Sequence, residues 1–106
     1  MSFLKGARLS ELPRGTARAV RIGDEKILIV RTDKGDVYAV ENRCSHDGGD
    51  FEHSSLKGNI LTCPRHGATF DVSDGKALTM PAVAPIQTYS VRINDDDVEI
   101  DVEDDE

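Results

Sequence analysis

The chain has 106 residues, 31% of them charged and 38% hydrophobic, and a formal net charge of −7 at pH 7. This length predicts one domain, 1–106, burying about 60–70% of its unfolded surface with no room for a separate catalytic domain, and the acidic balance works against nucleic acid and anionic membrane surfaces. No apolar run of membrane-spanning length and no basic-then-apolar N-terminal segment is present, so neither a span nor a secretory signal is expected and the cytoplasm is the expected compartment.

Taken in chain order, Leu9-Ser10-Glu11-Leu12 reads as about one helical turn stopped by Pro13. Residues 17–22 and 27–31 read as strands flanking the turn Gly23-Asp24-Glu25-Lys26, which makes a hairpin. A second turn, Asp33-Lys34-Gly35-Asp36, leads into Val37-Tyr38-Ala39-Val40, so three antiparallel strands are expected here. Asn59-Ile60-Leu61-Thr62 predicts a further strand. Ser90-Val91-Arg92-Ile93, the turn Asn94-Asp95-Asp96-Asp97 and residues 98–102 predict a closing hairpin. The expected fold class is all-β, with the region from about Cys44 to Phe70 inserted between the outer hairpins. Residues 101–106 hold five acids and read as a frayed, solvated tail.

Two short segments stand out, Cys44-Ser45-His46 and Cys63-Pro64-Arg65-His66, which hold both cysteines and two of the three histidines. One thiolate and one imidazole from each of two loops is a ligand set for a shared metal centre. A single disulfide is the simplest competing reading, but a histidine beside each cysteine and the missing signal argue against it. A zinc-stabilised interaction module takes two thiolates and two imidazoles as well, yet common zinc modules pair like residues as C-x-x-C or H-x-x-x-H. A cysteine–histidine nucleophile would use one pair and leave the other unexplained. The third histidine, His53, reads as an exposed surface residue without a role.

Glycines follow both segments, in Cys44-Ser45-His46-Asp47-Gly48-Gly49 and Cys63-Pro64-Arg65-His66-Gly67, and Phe70-Asp71 follows the second. Together with Leu12-Pro13-Arg14-Gly15, Val37-Tyr38-Ala39-Val40 and Gly75-Lys76-Ala77, these segments cover most of the chain and resemble the small soluble Rieske ferredoxins. The resemblance implies a Rieske-type antiparallel β-sandwich with a small inserted cluster-binding subdomain. Its ligand loops would span about 43–51 and 62–71, and a proline-bearing cover loop, about 80–85, would lie in Met80-Pro81-Ala82-Val83-Ala84-Pro85. It also implies one 2Fe-2S cluster, with Cys44 and Cys63 on the buried iron and His46 and His66 on the outer iron, where the electron leaves. Phe51 and Phe70 are expected as core residues near the ligand loops.

Two ferric ions, two sulfides and two thiolates leave an oxidised centre neutral, where four thiolates would leave a dianion, so histidine ligation makes reduction easier than in plant-type ferredoxins. Imidazole on ferric iron should lose its outer proton more readily, so the potential should fall at alkaline pH. In the high-potential Rieske proteins of respiratory complexes, the ligand histidine is followed by Gly-Ser, with a tyrosine two residues beyond, and the hydroxyls reach sulfurs. Here the matching stretch is His66-Gly67-Ala68-Thr69-Phe70, and the positions of their inter-loop disulfide hold Gly49 and Arg65. The resemblance therefore implies a potential near the bottom of the range of about −150 to +300 mV. Thr69 is expected as an ordinary strand residue, although its hydroxyl lies close enough in sequence to seek a sulfur.

The implied function is that of a one-electron carrier rather than an enzyme, similar to the ferredoxin components of bacterial aromatic-ring-hydroxylating dioxygenase systems. Its partners would be a flavin-containing NAD(P)H reductase and a terminal oxygenase, met by a monomer through a small, salt-sensitive contact with Asp47 and Asp50 orienting docking. The alternative is a small Rieske subunit of a nitrite reductase or other oxidoreductase complex, which would expose an apolar patch in isolation.

Overall fold

The structure, a computed structural model, describes residues 3–45, 48–51, 54–64, 67–80 and 84–102. Among them are nine strands: β1 (Phe3–Arg8), β2 (Thr16–Ile22), β3 (Glu25–Arg31), β4 (Val37–Glu41), β5 (Ser55–Lys57), β6 (Ile60–Thr62), β7 (Thr69–Asp71), β8 (Thr88–Asn94) and β9 (Asp97–Asp101). Six form an antiparallel sheet in the order β1-β9-β8-β4-β3-β2, and β5-β6-β7 form a second sheet inserted between β4 and β8. Among the described residues no helix is long and apolar enough to cross a membrane.

Both predicted hairpins are present with tighter turns than expected. Ile22 pairs with Glu25, so Glu25 and Lys26 belong to the strand and the turn is Gly23-Asp24 alone, with Gly23 at φ 62°. Asn94 pairs with Asp97, and Asp95 takes φ 56°, a left-handed conformation that a short polar side chain tolerates. The predicted helical turn is a 3₁₀ turn, Leu9–Glu11. Leu12 behind it is buried, and its carbonyl accepts from Arg31 Nη1 at 3.1 Å.

Strands β3 and β4 are the wall between two cores. On one face Leu28, Val30 and Val40 pack with Cys44, Phe51, Leu61, Cys63, Ala68, Phe70, Val72 and Ile86. On the other, Ile27, Ile29 and Ala39 pack with Leu12, Ile22, Tyr89, Val98 and Ile100. Ile27-Leu28-Ile29-Val30 is accordingly an unbroken apolar run, because a strand covered on both faces has no side left for polar residues. The insertion is thus docked against the back of the sheet, and the second core lies away from it.

Three strands depart from the sequence reading. β1 pairs with β9 through a register shift at Gly6, where a Cβ would lie 2.8 Å from Ile29 Cδ1; this irregularity breaks the alternation that would have marked the strand. β5 and β7 are three residues each, too short to show a period. Because β1 covers β9, Asp101 is not the start of a solvated tail: it pairs with Phe3 and Ser90 and is buried. Residues 103–106 lie outside the described residues.

Candidate metal centre

Each cysteine opens a loop closed by the same two backbone hydrogen bonds. The Cys44 N–H donates to Gly49 O at 2.7 Å and the Gly48 N–H to Cys44 O at 2.8 Å. The Cys63 N–H donates to Ala68 O at 2.8 Å and the Gly67 N–H to Cys63 O at 3.0 Å. In both, the residue four positions after the cysteine is a glycine at φ 75°, a left-handed backbone that glycine adopts without steric penalty. The glycines after each segment therefore have a physical reason: they turn the chain so that a matching loop forms twice.

Both cysteines are fully buried, in one core cluster, and neither is in a disulfide. Phe51 and Phe70 pack edge-to-face beside them, with ring centroids 5.7 Å apart and planes at 80°. Two thiols withdrawn from water in equivalent loops suit a centre built from thiolate ligands on one side, and the apolar surround favours a centre of low net charge. His46 and His66, with Asp47, His53, Arg65 and Pro81, Ala82 and Val83 of the expected cover loop, lie outside the described residues.

Sequence reading missed the side chains that frame these loops. Asn42 Oδ1 accepts from the Phe51 N–H at 2.9 Å while the Asn42 N–H donates to Lys26 O at 2.9 Å, so one residue joins both ends of the first loop to β3. The one available signal was a turn-favouring asparagine directly after an apolar strand. Thr69, expected as a strand residue, is one, and its Oγ1 lies 2.8 Å from Thr79 Oγ1. Ser45 Oγ donates to Ala84 O at 2.5 Å. Asp50 is exposed at the far side of the first loop, and Met80 is 75% exposed at the start of the proline-bearing stretch.

A cleft beside the Cys44 loop is lined by Gly48, Gly49, Glu25, Glu41 and Tyr89. Burial, then the hydrogen bond from its hydroxyl to Glu25 Oε1 at 3.0 Å and the nearby carboxylates, push the Tyr89 phenol well above its ordinary value. A group whose pKa is raised by folding adds stability that is full below its unfolded value and is lost as pH rises beyond it. Relative to Tyr89→Phe, the natural protein should lose about 1 kcal/mol between pH 10 and 11. Urea midpoints of both proteins across that interval measure it, and parallel curves would refute it.

A Rieske [2Fe-2S] domain profile matches residues 2–90. The chain is 38% identical over 103 residues to the 3-phenylpropionate/cinnamic acid dioxygenase ferredoxin subunit of Photorhabdus laumondii, covering 96% of each chain. Its structure matches the ferredoxin of carbazole 1,9a-dioxygenase from Nocardioides aromaticivorans IC177 at TM-score 0.87 and 26% identity, covering 94% of this chain and 97% of the other. It also matches a ferredoxin solved in complex with the reduced oxygenase of carbazole 1,9a-dioxygenase, at TM-score 0.83 and 28% identity over 92% of this chain and 91% of that one. With its paired cysteine loops behind β3 and β4, the chain belongs to the Rieske 2Fe-2S family as a ferredoxin, an electron carrier with one 2Fe-2S cluster.

Proposed function

We propose that this ferredoxin takes single electrons from a flavin-containing NAD(P)H reductase and delivers them to a terminal oxygenase of the aromatic-ring-hydroxylating kind. Cys44, His46, Cys63 and His66 are the ligands in this reading, the cysteines on the buried side and the histidines toward the partner. The cluster, when bound, supplies one reversible electron. The observation that carries the reading is the pair of equivalent loops, each with a fully buried cysteine, in a chain matching dioxygenase ferredoxins over nearly its whole length. A relative solved with its oxygenase supports the acceptor.

What the residues do is hold and shield. The two cysteines sit among apolar side chains that keep water from the inner side. Ala68 offers no hydroxyl at the position where high-potential relatives carry serine, and the Thr69 hydroxyl is engaged by Thr79. Both features support a potential at the low end of the range of about −150 to +300 mV. In this reading the protein works as a monomer in the cytoplasm, the compartment expected from its sequence.

The test is reconstitution. The purified protein, eluting as a monomer, should be reduced by NADH through a flavin reductase of a dioxygenase system and reoxidised by an oxygenase of that class. His46→Ala and His66→Ala should each abolish the visible spectrum and the relay. A protein that keeps its spectrum in either variant would remove that histidine from the ligand set, and one that is reduced but never reoxidised by such oxygenases would refute the acceptor.

A further inference from the structure

Between β2 and the insertion lies a cleft of about 520 Å³ lined by Thr16, Ala17, Leu28, Asn42, Phe51 and Leu56. Leu28 and Phe51 also belong to the core that holds both cysteines, so they form a partition between the cleft and the cysteine side of the centre. They are held in different ways. Leu28 lies within β3 and is paired on both sides, with Ala19 of β2 and Val40 of β4. Phe51 lies in no strand. Its carbonyl accepts from the Ser54 N–H at 3.0 Å, a bond to the chain just after it, and its buried N–H reaches the sheet by donating to Asn42 Oδ1 at 2.9 Å. Asn42 is itself fixed at the end of β4: its N–H donates to Lys26 O at 2.9 Å, and the N–H of Glu41 before it donates to Gln87 O at 2.8 Å.

We infer that Asn42 is a positioning residue that, through the Phe51 N–H, holds the Phe51 ring as the partition keeping cleft water from Cys44 and Cys63. The bonds that close the Cys44 loop, from the Cys44 N–H to Gly49 O and from the Gly48 N–H to Cys44 O, end before Phe51 and are made without the Asn42 side chain. Losing that side chain therefore leaves the turn of the loop intact and releases Phe51. A buried N–H left without an acceptor is costly, and the relief open to Phe51 is to move toward the cleft, where water takes that N–H. The ring then leaves its edge-to-face contact with Phe70, 5.7 Å between centroids, and water gains a path to the cysteines. The inference rests on the ligand assignment above, because it matters only if the two cysteines hold the cluster.

The experiment uses the cluster-loaded protein and two readouts, the midpoint potential and the rate at which an iron chelator bleaches the visible absorption without oxygen. Asn42→Ala should bleach about fivefold faster, the effect of losing one ordinary hydrogen bond. Its potential should rise by about 20 mV, a twofold change in the reduction equilibrium at 59 mV per tenfold, because water stabilises the more charged, reduced form. Phe51→Leu keeps the hydrogen bond but removes the ring, and should move both readouts in the same directions. Adding Asn42→Ala to Phe51→Leu should then change each by less than half of what it changes in the natural protein, because the ring through which Asn42 acts is already gone. Asn42→Asp keeps an acceptor oxygen and should bleach at the natural rate. Faster bleaching of Asn42→Ala at an unchanged potential would leave Asn42 a structural role only and overturn the inference. Natural values in Phe51→Leu, effects that add in full in the double variant, or Asn42→Asp bleaching as fast as Asn42→Ala would overturn it too. A natural protein lacking the visible spectrum would overturn the ligand assignment and the partition with it.

Discussion

Gly75→Ala is expected to destabilise the protein by about 3–4 kcal/mol, the sum of a left-handed backbone imposed on alanine and an overpacked contact. Gly75 has φ 78°, and a Cβ there would lie 2.1 Å from the Ile86 carbonyl oxygen and 3.1 Å from Thr88 Cγ2. A flexible side chain would swing away, but the nearest atom is backbone. That backbone is held, because the Ile86 N–H donates to Gly75 O at 2.8 Å and the Gly75 N–H to Asp71 O at 2.7 Å. Gly15 is the matched control: it has the same φ of 78° and nothing within 4 Å of its Cβ position. Gly15→Ala should therefore cost only the backbone part, about 1–2 kcal/mol. Urea midpoints of the two variants isolate the contact, and equal losses would show that the close approach of Gly75 to Ile86 adds nothing. Since Ile86 packs in the same core as Cys44 and Cys63, Gly75→Ala should also lose its cluster to chelator faster than Gly15→Ala.

The hairpin strands were legible because their apolar residues and turns are local signals. β2, β3, β4, β8 and β9 each fall within a few residues of the expected bounds. The two cysteine loops were legible for a different reason: cysteine and glycine each have few structural uses, so their repeated spacing marks two matching turns. β1 was not legible, because Gly6 interrupts its pattern at a register shift and the partner strand lies at the other end of the chain. That omission produced the error at Asp101, which looks like part of an acidic tail until β1 covers it. The two-sided burial of β3 was written in Ile27-Leu28-Ile29-Val30 but needed the insertion's docking site before it could be interpreted. The ties from Thr69 to Thr79 and from Ser45 to Ala84 had no sequence signature at all, since single hydroxyls meeting distant partners follow no period.

Cys63→Ser is expected to abolish the visible absorption and to loosen one core while sparing the other. Cys63 is fully buried in the cluster that includes Cys44, Phe51, Leu61 and Phe70, so serine would place a hydroxyl in an apolar site and, with Cys63 a ligand as proposed, remove the binding energy that metal ligation adds to folding. The second core does not depend on those residues: Ile27, Ile29, Val98 and Ile100 pack on the opposite face of the sheet. Only β3 and β4 are common to both. Amides of β5, β6 and β7 should therefore exchange at least about 100-fold faster in the variant, the range of a local opening that costs ~3 kcal/mol less than before, while those of β8 and β9 keep most of their protection. Stripping the iron from the natural protein should give the same division, since it removes the same ligation without changing a side chain. Uniform loss of protection in all nine strands would show instead that the two cores form one cooperative unit, with the wall of β3 and β4 unable to stand when one of its faces loses its packing.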